Sequence, residues 1–173
     1  NGGIALDSTA SLQLQAGTVL SLKGTALQID GDISAAGGNI TLESRAANGS
    51  EGLGNYPVNI GGDALLDVSG LWINELLNPQ STTTRAINGG AINISAVGDV
   101  AIANGARLRA DAGARVDNSG KFSGGNGGSI ALATRARTET DAGSRLLLDG
   151  ELSAYGFGNG GTLSLTANAF QIG

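Results

Sequence analysis

A short text built on paired glycines recurs four times along the chain. It reads Gly37-Gly38-Asn39-Ile40-Thr41-Leu42, Gly89-Gly90-Ala91-Ile92-Asn93-Ile94, Gly127-Gly128-Ser129-Ile130-Ala131-Leu132 and Gly160-Gly161-Thr162-Leu163-Ser164-Leu165. In each copy a glycine bend feeds a segment whose apolar residues alternate with small polar ones, the pattern of a half-buried strand. Self-similarity of this kind points to stacked repeats, because one such unit has too little apolar surface to bury its inner face alone.

A second alternating text runs between the copies. Leu20 and Leu22 alternate with Ser21 and Lys23; Leu66 and Val68, Leu108 and Ala110, and Leu146 and Leu148 follow the same style. Val58 and Ile60, Val100 and Ile102, and a weaker pair at Thr138 and Thr140 precede them. Gly89, Leu108, Gly127 and Leu146 fall at even intervals of 19 residues. The spacing predicts an all-β parallel β-helix with about 19 residues per coil, the self-similarity of about 38 being two coils. Eight or nine coils would stack to about 40 Å at the strand spacing of a sheet. Gly37, Gly89, Gly127 and Gly160 are expected in equivalent left-handed bends, with Asn39, Asn126 and Asn159 stacked beside them.

Composition supports a narrow, aliphatic interior. Hydrophobic residues make up 40% of the 173 residues but aromatics only 3%, so Leu, Ile, Val and Ala must fill the core. Thirty glycines without a three-residue period exclude collagen. Cys, Met and His are absent, which excludes disulfide staples, thiolate or imidazole metal sites and His- or Cys-based catalysis. A net charge of −5 gives no basic stripe for nucleic acid, and no apolar run is long enough to span a membrane as a helix. The chain is expected to be one segment, 1–173, of a longer protein.

Three interruptions break the regularity, near 45–56, 71–88 and 114–125. In a stacked-repeat protein such insertions leave the shaft as loops, where binding is built. The 71–88 stretch is the least generic and holds the only tryptophan. Leu71, Trp72, Ile73, Leu76 and Leu77 are expected to cover the shaft, as a helical turn or an extra strand. The functional alternative makes Trp72, with Ile73, Leu76 and Leu77, a contact for a glycan or a protein partner. Arg107 and Arg145, 38 residues apart, would lie on one face if that interval were two coils. A row of this kind suits acidic polysaccharide, although a solvated face is the plainer reading. Asp30-Gly31-Asp32 is only half of a calcium loop, and scattered acids do not single out a catalytic pair. No catalytic residue, cofactor or metal is assigned.

The strings Leu66-Asp67-Val68-Ser69-Gly70, Gly124-Gly125-Asn126-Gly127-Gly128-Ser129-Ile130-Ala131-Leu132 and Leu148-Asp149-Gly150-Glu151-Leu152-Ser153-Ala154-Tyr155-Gly156 resemble filamentous-haemagglutinin-type large exoproteins. These are the cargo proteins of bacterial two-partner secretion. The resemblance implies a right-handed parallel β-helix, exported through the outer membrane by a partner transporter, and secreted or held at the bacterial cell surface as an adhesin. It implies a structural rather than enzymatic role. The partners would be flanking coils of the same polypeptide, the transporter during export, and a host receptor or glycan. The family's Asn-Pro-Asn-Gly motif is not found, since Asn78-Pro79 is followed by Gln80, which suits an internal shaft segment. The alternative is a β-helix protein that binds or cleaves polysaccharide.

Overall fold

A computed structural model of the chain describes residues 2–46, 55–77, 86–135 and 144–173. These residues form an all-β structure in which parallel sheets are laid down by repeated circuits of the chain. The first circuit holds β1 (Ile4–Leu6), β2 (Ser11–Gln13) and β3 (Val19–Gly24). The second holds β4 (Leu27–Ile29), β5 (Asp32–Ser34) and β6 (Asn39–Ser44). The third runs through β7 (Val58–Ile60), β8 (Leu65–Asp67), β9 (Trp72–Asn74) and β10 (Ala91–Val97). The fourth runs through β11 (Val100–Ile102), β12 (Arg107–Arg109), β13 (Ala114–Val116), β14 (Phe122–Gly124) and β15 (Ser129–Arg135). Then come β16 (Arg145–Leu148), β17 (Glu151–Ser153) and β18 (Thr162–Thr166), and finally β19 (Ala169–Ile172).

Strands at equivalent places in successive circuits are hydrogen-bonded neighbours. The first sheet has the order β1-β4-β7-β11-β16-β19, the second β2-β5-β8-β12-β17 and the third β3-β6-β10-β15-β18. Each visit to one sheet is followed by the next sheet in the same order, an arrangement compatible with a parallel β-helix. The alternation seen in the sequence sets the register. Leu27, Val58, Val100 and Leu146 stack in one row of the first sheet. Leu12, Ile33, Leu66, Leu108 and Leu152 form the row of the second sheet. Leu20, Ile40, Ile92, Ile130 and Leu163 form a row of the third. Most of these side chains join one continuous apolar core. A one-residue slip would turn the whole set outward, so register is strongly specified.

The expected 19-residue coil is too short. Where no extra segment intervenes, Leu20 lies against Ile40, Leu12 against Ile33 and Ile4 against Leu27, intervals of 20, 21 and 23. Ile92 lies against Ile130, so the 38-residue interval is one circuit, lengthened by β13 and β14. Leu108 and Leu146 are therefore not equivalent: Leu108 sits in the second sheet and Leu146 in the first. The even spacing arose because one lengthened circuit happens to be twice the distance between two different sheets. The first sheet's six strands span about 24 Å rather than about 40 Å. Thr138 and Thr140 lie outside the described residues.

Glycine's role at the recurring corner also differs from expectation. Gly37 has a left-handed φ of 62°, but Gly89, Gly127 and Gly160 do not. The shared requirement is close approach between circuits. A Cβ on Gly90 would sit 1.9 Å from the Gly38 carbonyl oxygen, and one on Gly128 2.0 Å from that of Gly90. The stacked asparagines are Asn88, Asn126 and Asn159. The Asn126 N–H donates to Asn88 Oδ1 at 2.9 Å, and the Asn159 N–H to Asn126 Oδ1 at 3.0 Å. Asn39 belongs instead to the outer face of the third sheet, where Asn93 Nδ2 donates to its Oδ1 at 3.1 Å.

Candidate functional site

Two of the three sequence interruptions meet outside the stacked sheets. β9, from the 71–88 stretch, pairs in parallel with β13, from the 114–125 stretch, and β13 pairs antiparallel with β14. Local chemistry explains the hairpin. Asp117 Oδ1 accepts from the Ser119 N–H, the Ser119 hydroxyl and the Lys121 N–H, and Gly120 supplies a φ of 82°. Those bonds, the Ser119 hydroxyl first, hold the Asp117 carboxyl below the usual aspartate range. The junction of β9 and β13 is tied by a bidentate pair. Arg115 Nε and one terminal nitrogen each lie 2.7 Å from a Glu75 carboxylate oxygen, which raises the guanidinium's pKa further. Of the 45–56 interruption, residues 47–54 lie outside the described set, as do 78–85 of the second.

This small sheet carries an aromatic cluster. The Trp72 and Phe157 rings stand edge to face with centroids 5.5 Å apart, and Phe122 meets Phe157 in the same way at 5.5 Å. Trp72 is 72% exposed, Phe122 53% and Phe157 52%. Phe157 reaches this place because the opposing position is Gly124: a Cβ there would come within 2.3 Å of the Phe157 side chain. The segment holding Tyr155 and Phe157 is fastened to the fourth circuit. Asp111 Oδ1 accepts from the Tyr155 N–H at 2.7 Å, and Asp111 Oδ2 from the Ser153 hydroxyl at 2.8 Å. The Phe157 N–H donates to the Gly125 carbonyl at 3.0 Å.

Trp72 separates three adjoining cavities. One of about 380 Å³ is lined by Trp72, Asp111, Tyr155 and Phe157. Another of about 210 Å³ lies between Trp72, Arg115 and Phe122. A third, a groove of about 540 Å³, runs from Trp72 along the second sheet past Asp111, Arg109, Asp67, Ser34 and Gln13. Gln13, Ser34, Asp67 and Arg109 are register neighbours on successive strands, so the groove crosses the strands along the stack.

The sequence candidates divide. Trp72, Leu76 and Leu77 are exposed and Ile73 is half-buried, so the apolar run does not cover the stack as expected. Arg107 and Arg145 do not share a face: Arg107 lies on the second sheet beside Leu65 and Glu151, and Arg145 on the first beside Ala169. The 38-residue interval is one circuit in the third sheet, from Ile92 to Ile130, but Leu108 meets its second-sheet partner only at Leu152, so 38 residues from Arg107 fall short of the same sheet. Asp30 and Asp32 are engaged structurally, Asp30 by Gln28 Nε2 and Asp32 by the Leu65 N–H. Among the described residues no group of three acids could hold a metal ion. Phe122, Tyr155, Phe157 and the groove residues were not singled out from sequence. The available signal was scarcity, since the chain has six aromatic residues and four of them line this place.

Comparison with known proteins finds no family model that matches the chain, and neither a curated protein nor a solved structure that matches it.

Proposed function

We propose that the chain is a right-handed parallel β-helix segment forming part of the shaft of a secreted or cell-surface bacterial adhesin, exported by two-partner secretion. One observation carries this reading. Apolar rows continue in register through successive strands of all three sheets, so each circuit buries its inward side chains against the next. A stack held together by such nearest-neighbour contacts has no fixed number of repeats, which suits a shaft. Right-handedness follows the strong preference of parallel crossover connections. Each added coil lengthens the rod by about 4.8 Å, so reach scales with repeat number. Adhesin character and export rest on the resemblance of the repeat text to filamentous-haemagglutinin-type exoproteins.

The test is surface labelling of intact source cells with an antibody raised against this chain, with and without the partner outer-membrane transporter that this reading requires. Labelling that disappears with the transporter supports the reading. Protein confined to the cytoplasm in transporter-positive cells would overturn it.

A further inference from the structure

The ring cluster and the groove beside it are one continuous surface with two kinds of chemistry. At one end stand Trp72, Phe157 and Tyr155, all exposed. Along the other lie Arg109, Ser34 and Gln13, whose side chains make no hydrogen bond or ion pair among the described residues. Asp67 and Asp111 share the groove but spend oxygens inside the fold: Asp67 Oδ1 accepts from the Ser69 N–H at 2.8 Å, and both Asp111 oxygens are engaged at Ser153 and Tyr155. A sugar ring needs this mixture. Its C–H face packs on an aromatic ring, while its hydroxyls want donors and acceptors in the plane around it. The groove's polar side chains, Gln13, Ser34, Asp67 and Arg109, follow one another at the strand spacing, about 4.8 Å, which suits a chain of similar units better than a single small molecule.

Charge narrows the class. The groove sets one guanidinium against two carboxylates, on a chain of net charge −5. An acidic polysaccharide would meet net repulsion there, and Arg107 and Arg145, the pair suited to drawing one, lie on different sheets. We propose that this surface binds a neutral glycan chain, with Trp72 and Phe157 as the stacking platform, Tyr155 as its flank, and Arg109, Ser34 and Gln13 as hydrogen-bonding partners along the groove. This role goes beyond reach and rigidity, and it would hold whether or not the stack serves as an adhesin shaft.

Trp72 is the only tryptophan, so its emission reports the platform directly. The probes are neutral β-linked oligosaccharides of glucose, mannose, xylose and N-acetylglucosamine, with polygalacturonate and heparin as acidic counterparts. At least one neutral series should shift Trp72 emission saturably and give heat in calorimetry. Trp72→Ala and Phe157→Ala should each weaken that binding about tenfold or more, the scale of a lost stacking contact. Arg109→Gln should weaken it less. The melting temperatures of these variants should stay near wild type, because the substituted side chains lie at the surface. Absence of saturable binding to every neutral series would overturn the proposal. So would binding confined to the acidic polymers, or neutral binding unaffected by Trp72→Ala. Self-association that disappears with Trp72→Ala would assign the patch to a second copy of the chain instead. None of these outcomes changes the surface-labelling result, so the two readings fail separately.

Discussion

Gly128, the second glycine of its pair, and Gly160, the first of its own, both belong to the recurring Gly-Gly text but do different work. Gly128 stacks directly on Gly90, and an added Cβ would lie 2.0 Å from a backbone oxygen that cannot move without shifting a strand. Around Gly160 a Cβ would meet nothing within 4 Å. Neither has a left-handed φ, so conformational preference does not separate them. Gly128→Ala is expected to destabilise by about 1–3 kcal/mol through overpacking, while Gly160→Ala stays within about 0.5 kcal/mol of wild type. Urea unfolding of the two variants checks this, and equal midpoints would show that the corner relaxes around a methyl group. The contrast marks a limit of reading one sequence. Both glycines are legible as punctuation, but closeness to the next circuit depends on three-dimensional neighbours that lie a variable distance away along the chain.

At the level of elements, the Arg115–Glu75 ion pair ties the small sheet, and the third sheet carries a charge cluster. Glu75 is buried and receives both forks of Arg115, joining the end of β9 to β13. Arg115→Lys cannot reproduce that planar fork. Amide exchange should therefore speed up at residues 72–75 and 114–116 with little change in the interior rows, a pattern that hydrogen exchange resolves strand by strand. Exchange that rises equally in the third sheet would mean that the small sheet is not a separate unit. On the third sheet, Glu43 sits 2.8 Å from Lys23, with Arg135 and Arg45 at 3.8 and 3.9 Å. Its carboxyl is held below the ordinary 4.5, first by the Lys23 hydrogen bond and then by the surrounding cations. A folded-state value below the unfolded one means that Glu43 stabilises fully above about pH 4.5, and that this contribution is lost as pH falls through the folded value. Glu43→Gln should therefore cost stability at neutral pH and flatten the acid limb of a urea-midpoint profile. An acid limb identical to wild type would remove Glu43 from the acid response. The strands themselves were legible from alternation: all four Gly-Gly copies precede neighbouring strands of one sheet, and Val58 does stack on Val100. Their phase was not legible. Alternation says which residues face inward but not which sheet a strand joins, so Leu66, Leu108 and Leu146 looked equivalent although only the first two are. The aromatic cluster is hidden in the sequence for the same reason. Trp72 and Phe157 both follow second-sheet strands, a correspondence visible only once the circuits are correctly phased.

For the whole molecule, the decisive feature is that its apolar interior is a column rather than a centre. A column leaves two ends, and here the inward rows arrive at them uncovered: Leu12 at one, and Leu163, Phe170 and Ile172 at the other. Each end also presents a strand with one edge unpaired among the described residues, β3 and β18 being the outermost strands of the third sheet. Exposed apolar rows beside free hydrogen-bonding edges favour pairing with another chain, and natural repeat arrays block this with polar capping repeats. The isolated chain is therefore expected to associate end to end, with a sedimentation coefficient that rises with concentration. Replacing Leu163 and Phe170 by Thr and Asn, and Thr162 by Lys on the outer side of the same edge strand, should return it to a single monomeric species. Its melting temperature should barely change, because these side chains are already half in solvent. Trp72→Ala should leave the association intact, since the aromatic platform lies on the side of the stack and not at its end. If the capped variant still associates while Trp72→Ala does not, the contact is lateral, and the open column is not what draws copies together.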